Sequence, residues 1–291
     1  DVGRCPTDSC QFIPKIDGVV SADEWESATK ITDFVQIKPV EYGDPTENTI
    51  VFLTITDSTF YIAAKLYDQS PSDIVAKVSR QGARISSDDF FRVQIDTFNS
   101  KRAGYRFQVN MNSVRNEGIF LNITSINDDW TSIWEAKATK TSYGWSAEIA
   151  IPFKSLSFDP EMDVWGFNVF RYISRKNELI SWITRNQESN ISVSGSLRGF
   201  KGVEKGLGLD IVPNLSFQRS SNNNTGLSED MLQPSLDVFY KITPSLNGSL
   251  TFNTDFSATE VDDRRVDLSQ FSLFYPEKRD FFLREFDIFY F

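Results

Sequence analysis

Apolar and polar residues alternate with a period of two along much of the chain, which is the pattern of half-buried β-strands. In Tyr105–Asn112, tyrosine, phenylalanine, valine and methionine fall on one side, and arginine, glutamine and asparagine on the other. Short segments of similar character, separated by turn residues, are Ile50–Ile55, Phe60–Leu66, Phe91–Asp96, Ile119–Ile123, Trp134–Ala138, Trp145–Ile151, Trp165–Ile173 and Ile180–Arg185. This spacing predicts an antiparallel β-sandwich of about 170 residues.

The alternation lengthens after a glycine-rich stretch between residues 195 and 208. Alternating segments cover Leu207–Gln218, Ser235–Thr243 and Leu246–Phe256, and the polar stretch Arg219–Pro234 predicts a loop between the first two. Alternating strands of about ten residues are typical of outer-membrane β-barrels. A second soluble antiparallel sheet with one covered face would give the same pattern. Because a membrane barrel needs at least about eight strands, the barrel interpretation implies that the chain continues beyond Phe291.

Composition and charge exclude several classes of function. The 291 residues include no histidine, which excludes catalysis by Ser-His-Asp or Cys-His pairs and His-ligated zinc or haem. A formal net charge of −10 argues against a nucleic-acid partner. The 25 phenylalanines favour strands and supply aromatic surface.

The two cysteines lie close together in an N-terminal segment, residues 1–15. Cys5 and Cys10 flank a short Pro-containing stretch, and a disulfide between them is expected in an oxidising compartment. Two reduced surface thiols are the alternative. The chain shows no signal peptide, so export would require that one has been removed.

Four motifs in order resemble the family 9 carbohydrate-binding-module-like domain: IDGVVSADEWESA, SSDDFFRVQIDTFNSKRAGYRFQVN, YGWSAEIAIPFKSL and WGFNVFRYISRKNELISW. The tail, from YKITPSLNGSLTFNTDFSATEVDD to FSLFYPEKRDFFLREFDIF, is similar to the start of the DUF5916 region of bacterial outer-membrane proteins. The resemblance implies an all-β chain with a sandwich over residues 16–200. A DUF5916-like β region follows over residues 201–291, as the first strands of an outer-membrane barrel. It also implies a place in the cell envelope, at the outer membrane, in the periplasm or secreted.

Sugar-binding modules stack pyranose rings on exposed aromatic side chains and bind the hydroxyls with a polar rim. Trp130, which follows Asp128 and Asp129, is a candidate platform, and Trp182 is another. Arg185, Asn186 and Glu188 follow Trp182 and supply suitable donors and acceptors. The alternative for both tryptophans is packing in the core, which is what we expect of Trp25, Trp134, Trp145 and Trp165.

Two pairs of carboxylates could bind Ca²⁺, which takes six to eight oxygen ligands. They are Asp88 with Asp89, and Asp128 with Asp129. The alternative is that these residues cap turns. Haem would have to use Met111, Met162, Met231 or another non-histidine ligand, and Met111 is better explained as core.

These features predict a non-catalytic glycan-recognition module of an outer-membrane protein, with a polysaccharide ligand. One alternative is a protein-docking or plug domain of an outer-membrane assembly. The other is part of a glycoside hydrolase, which no local pair of acidic residues singles out.

Overall fold

A computed structural model of the protein describes residues 1–4, 13–128, 130–206, 209–222, 227–243 and 246–253. The chain divides into two compact units, Asp1–Gly206 and Leu207–Phe291. Cys5, Cys10 and Asp129 lie outside the described residues, so the disulfide stays a prediction.

The described part of the first unit contains fourteen strands. They are β1 (Gly3–Arg4), β2 (Thr29–Ile31), β3 (Val35–Lys38), β4 (Thr49–Ile55), β5 (Thr59–Tyr67), β6 (Phe90–Asp96), β7 (Gly104–Asn110), β8 (Arg115–Phe120), β9 (Ile126–Asn127), β10 (Glu135–Thr141), β11 (Gly144–Pro152), β12 (Val164–Ile173), β13 (Glu178–Ser181) and β14 (Gly195–Arg198). One α-helix, α1 (Ala22–Trp25), and three short 3₁₀ turns, Pro71–Asp73, Phe153–Ser155 and Ser174–Lys176, complete this part of the chain.

The strands form two sheets that are antiparallel except where β1 meets β4. The smaller sheet has the order β1-β4-β5-β11-β10, with β2 also paired to β4. The larger sheet has the order β3-β13-β12-β6-β7-β8-β9, with β14 also paired to β12. β4 and β5 form a short hairpin, and β6 pairs with β7 across a longer polar loop.

The main core lies between the two sheets and makes this unit a β-sandwich. The smaller sheet contributes residues such as Val51, Ile62 and Trp145, and the larger sheet contributes Val93 and others. Alternation explains this arrangement, because every second side chain of a strand points to the same face. On β7 the three predicted core residues Tyr105, Phe107 and Val109 are all buried.

The second unit contains three described strands, β15 (Leu209–Asn222), β16 (Leu227–Thr243) and β17 (Leu246–Phe252), in that order across one antiparallel sheet. The prediction of a loop at Arg219–Pro234 is wrong for most of that range, because β15 continues to Asn222 and β16 begins at Leu227. The backbones of the two strands pair along this stretch, where Arg219 lies opposite Asp230 in the register. Backbone hydrogen bonds therefore extend the ladder beyond the alternating pattern.

No helix in the described ranges is long and apolar enough to cross a membrane.

Candidate functional site

Trp130 is a core residue, and the expectation of an exposed ring is wrong. Its side chain is only 7% exposed and belongs to the main core. The ring lies 5.1 Å from Tyr105 and 6.1 Å from Phe107, measured between centroids. The segment between β9 and β10 therefore packs its tryptophan onto the inner face of β7. Trp134 is buried as well, as the sequence predicted.

Trp182 follows β13 and is half-buried at the edge of the main core. Its ring centroid lies 6.3 Å from that of Phe167. A Cβ atom added to Gly195 would lie 2.5 Å from Cζ3 of Trp182, so the ring rests directly on the glycine backbone. Glycine at position 195 thus makes room for the tryptophan. Sugar binding by Trp182 stays a prediction.

The predicted polar rim after Trp182 is an exposed turn, Arg185–Glu188. The backbone N–H of Glu188 donates to the carbonyl of Arg185 at 3.1 Å. Asn186 and Gln187 both have left-handed backbone, with φ of 54° and 55°. This conformation turns four polar side chains outward in succession. The N–H of Gln187 donates to Oε1 of Glu41 at 2.8 Å, which joins the turn to the loop after β3.

An exposed aromatic ring, Tyr42, lies beside this turn and was not among the predicted site residues. Its side chain is 62% exposed, although its hydroxyl donates to the carbonyl of Thr184 at 3.3 Å. The backbone is held as well, because the N–H of Tyr42 donates to the carbonyl of Gln36. We call Glu41, Tyr42 and Arg185–Glu188 the Tyr42 surface. The only signal in the sequence is an aromatic residue in a Pro- and Gly-containing loop.

A second polar region covers the outer face of the larger sheet. Paired residues place Phe170, Arg92, Gln108 and Asn116 in one row across four strands. The adjacent row contains Asn168, Gln94, Arg106 and Gly118. Gln94 Nε2 donates to the carbonyl of Ser189 at 2.9 Å, so the loop that carries the Arg185–Glu188 turn rests on this face.

Arg92 is the partly exposed residue of this polar face. Its Nε donates to Oε1 of Gln108 at 3.0 Å. The guanidinium carbon lies 4.6 Å from the ring centroid of Phe90 and 5.8 Å from that of Phe170. Burial, and then the nearby Arg106, lower the pKa of Arg92 to about 9. The group is therefore still a cation at pH 7, held over two aromatic rings.

The carboxylates predicted for calcium accept hydrogen bonds from protein donors. Asp88 Oδ2 accepts from the N–H of Val78 and from Nδ2 of Asn110, both at 2.9 Å. Asp89 Oδ1 accepts from the N–H of Ser174 at 2.9 Å. Burial raises the pKa of Asp89 above its ordinary value. These contacts fit the turn-capping alternative.

Asp128 is paired with arginine. Its Oδ1 lies 2.8 Å from Nη2 of Arg106, and its Oδ2 lies 3.6 Å from Nε of Arg84. Within the ranges that the structure describes, no cluster of three or more Asp, Glu, His or Cys residues is arranged to hold a metal ion. Calcium binding stays a prediction from the sequence.

A buried ionic cluster joins the ends of the two sheets. Asp68 accepts two hydrogen bonds from Arg175, at 2.7 and 2.8 Å, and lies 3.9 Å from Arg171. Lys176 donates to Glu47 at 2.6 Å. Arg171 also donates to the carbonyls of Asn48 and Tyr67. Because these groups pair with one another and with backbone carbonyls, we assign the cluster a structural role.

Comparison with known proteins gives similar structures but no sequence family. No family model matches the chain, and no curated protein matches it. A family 9 carbohydrate-binding module from Caldicellulosiruptor kristjanssonii in complex with cellotriose is similar at 18% identity, with a TM-score of 0.47, over 67% of this chain and 92% of that chain. The module from the same organism in complex with glucose is similar at 17% identity, with a TM-score of 0.46, over 67% and 94%.

Proposed function

We propose that the first unit is a non-catalytic carbohydrate-recognition module that binds glycan at the Tyr42 surface. The observation that carries this proposal is the Tyr42 ring, fixed through its hydroxyl to Thr184 yet 62% exposed beside the polar Arg185–Glu188 turn. The motifs that resemble family 9 carbohydrate-binding modules give independent support from the sequence.

The chemistry of this surface suits a sugar ring. The C–H face of a pyranose is apolar and stacks on an aromatic face, and its hydroxyls need donors and acceptors at the rim. Arg185 supplies donors, Glu188 supplies acceptors, and Asn186 supplies both. Since the side chains of the turn are exposed, the site is shallow, and we expect affinities of about micromolar to millimolar.

The test is retention of the full chain on a panel of polysaccharides. Tyr42→Ala is expected to abolish retention, and Asn186→Gly is expected to weaken it without straining the left-handed backbone. Tyr143→Ala is the matched control, because Tyr143 is a partly exposed tyrosine in the β10–β11 turn of the other sheet. If the Tyr42→Ala variant is retained on the polysaccharides as strongly as the parent, the proposal is wrong. Capture of envelope proteins without any glycan binding would favour the docking alternative.

For the second unit we propose an outer-membrane location, on the basis of one apolar sheet face. Pairing of Pro213 with Leu236 and of Leu236 with Phe252 shows that alternate residues of the three strands share a face. The exposed apolar side chains on that face are Leu209, Ile211, Leu215, Phe217, Leu232, Leu236, Tyr240, Leu250 and Phe252. A continuous apolar face of this kind marks a membrane or protein contact.

The location is tested by flotation of the full chain with lipid vesicles. Replacing both Leu250 and Phe252 by Asn is expected to prevent flotation. Replacing Ser249 and Thr251 by Asn, on the other face of the same strand, is expected to leave it unchanged. A parent chain that stays monomeric in detergent-free buffer and does not float would contradict the proposal.

A further inference from the structure

The guanidinium of Arg92 has donors that the protein does not use. Its one side-chain hydrogen bond with described residues joins Nε to Gln108. The terminal nitrogens have no hydrogen-bond partner in the described part of the chain, and the side chain is partly exposed. The guanidinium carbon lies over the rings of Phe90 and Phe170, which together with the bond to Gln108 restrain the position of the group. A guanidinium held in this way is organised to bind a planar anion through two parallel hydrogen bonds.

The local balance of charge favours an anion at this position. Arg106 lies on the neighbouring strand of the same face, where Asn116 Oδ1 and Asp128 Oδ1 accept from its Nη2 at 2.6 and 2.8 Å. Asp128 is thus engaged by Arg106, and it also pairs with Arg84. Among the described residues, Arg92 has no carboxylate within salt-bridge distance. Of the two guanidinium groups on these adjacent strands, that of Arg106 is paired with a carboxylate and that of Arg92 has none among the described residues.

Two buried polar atoms on the same face have unused hydrogen-bonding capacity. Gln94 Oε1 and Arg106 Nε find no partner among the described residues. Gln94 is two residues from Arg92 on β6 and pairs across the ladder with Arg106. The described residues therefore leave the hydrogen bonds of the polar face beside Arg92 incomplete.

The polar face and the Tyr42 surface are joined by one loop. Ser189 accepts from Gln94 on the polar face, and Thr184 accepts from the Tyr42 hydroxyl. β3, which precedes the loop that carries Tyr42, lies three strand spacings from β6, or ~14 Å across the sheet. An oligosaccharide that binds at both positions would have to span at least this separation.

We propose that Arg92 is an anion subsite that selects glycans bearing uronic acid carboxylates. This inference rests on the carbohydrate-recognition function proposed above and adds the ligand class. The net charge of −10 would repel an acidic polymer at low ionic strength. At about 0.15 M salt the Debye length is about 8 Å, so the contact at Arg92 decides the outcome.

The experiment is calorimetric titration of the full chain with oligogalacturonate and with its methyl ester, at about 0.15 M salt. The acid form is expected to bind more tightly than the ester. Arg92→Gln is expected to lose about 10- to 100-fold in affinity for the acid form and much less for the ester, whose carbonyl accepts a hydrogen bond but carries no charge. Arg92→Lys, which keeps the charge and the aliphatic stem but not the planar fork, is expected to fall between them.

Arg102→Gln removes the same charge from an exposed position and is the matched control. Melting temperatures of the variants identify any loss of fold, and Arg92→Lys tests the proposal if Arg92→Gln unfolds. Equal affinity for the acid and the ester would overturn the uronate assignment, and so would equal binding of sulfated dextran and oligogalacturonate. In either case, glycan binding that still depends on Tyr42 leaves the proposed function intact. Absence of binding to acidic and neutral glycans alike overturns both.

Discussion

The indole Nε1 of Trp25 donates a hydrogen bond to Oε1 of Glu148 at 2.9 Å, and both side chains are buried. The other oxygen of Glu148 accepts from the N–H groups of Asp17 and Gly18, at 3.0 and 2.9 Å. Trp25 also packs against Phe52 on the smaller sheet. This one carboxylate therefore fastens α1 and the turn before it to the outer face of β11.

Stability is expected to depend on the protonation of Glu148. Burial raises its pKa from 4.5 to about 7, against the opposing effect of its N–H donors. Between pH 4.5 and about 7 the folded protein keeps a proton on Glu148 that the unfolded chain has released. The free energy of unfolding therefore decreases as pH rises through this range. We expect a loss of about 3 kcal/mol over this window from Glu148.

Urea denaturation of the parent and of Glu148→Gln, at several values between about pH 4.5 and 8, measures this effect. The glutamine variant does not titrate at this position. The free energy of unfolding of the parent minus that of the variant should therefore fall as pH rises. A difference that stays constant over the range would contradict the prediction.

Gly195→Ala is expected to displace Trp182. The new Cβ would lie 2.5 Å from Cζ3 and 2.8 Å from Cη2 of a rigid, half-buried ring. Overpacking of this kind costs about 1–3 kcal/mol. Thermal unfolding measures the cost, and tryptophan fluorescence detects the movement. Ser196→Ala, at the exposed neighbouring position, should change neither, and an unchanged melting temperature for Gly195→Ala would show that the ring adjusts freely.

Asp68→Asn is expected to destabilise the sandwich by about 3–5 kcal/mol, because it leaves buried Arg171 and its neighbour Arg175 without their shared carboxylate. Glu161 and Lys201 form an ion pair of 3.4 Å with side chains 80% and 64% exposed. Glu161→Gln is therefore the control, and we expect it to cost less than about 1 kcal/mol. If the two substitutions lower the free energy of unfolding equally, Asp68 and its arginine partners contribute no more to stability than an exposed ion pair does.

Trp130→Ala is expected to lower stability by about 3–5 kcal/mol, because the ring fills the core between Tyr105 and Phe107. Tyr42→Ala removes an exposed ring and should leave the melting temperature nearly unchanged. Calorimetric melting of both variants checks the pair. A stable Trp130→Ala protein that has lost glycan retention would restore Trp130 as a binding residue.

Alternation along single strands predicted much of the architecture. It identified β7 and its inward residues, and it identified the apolar side of each strand in the second unit. These features depend on a local property, because a strand turns successive side chains to opposite faces whatever its neighbours are. The predicted core positions of Trp25, Trp134, Trp145 and Trp165 are likewise confirmed.

The sequence by itself therefore predicted the longer strands of the sandwich, the division into two parts and carbohydrate as the ligand that we propose. Only the tertiary structure decided which aromatic rings meet solvent, because exposure depends on what the rest of the chain places over each ring. Trp130 is covered by the face of β7, whereas Tyr42 is held at an edge by a carbonyl 142 positions away. The same is true of Arg92, whose unused donors become apparent only when the pairing of β6, β7 and β8 shows that Asp128 engages Arg106 instead.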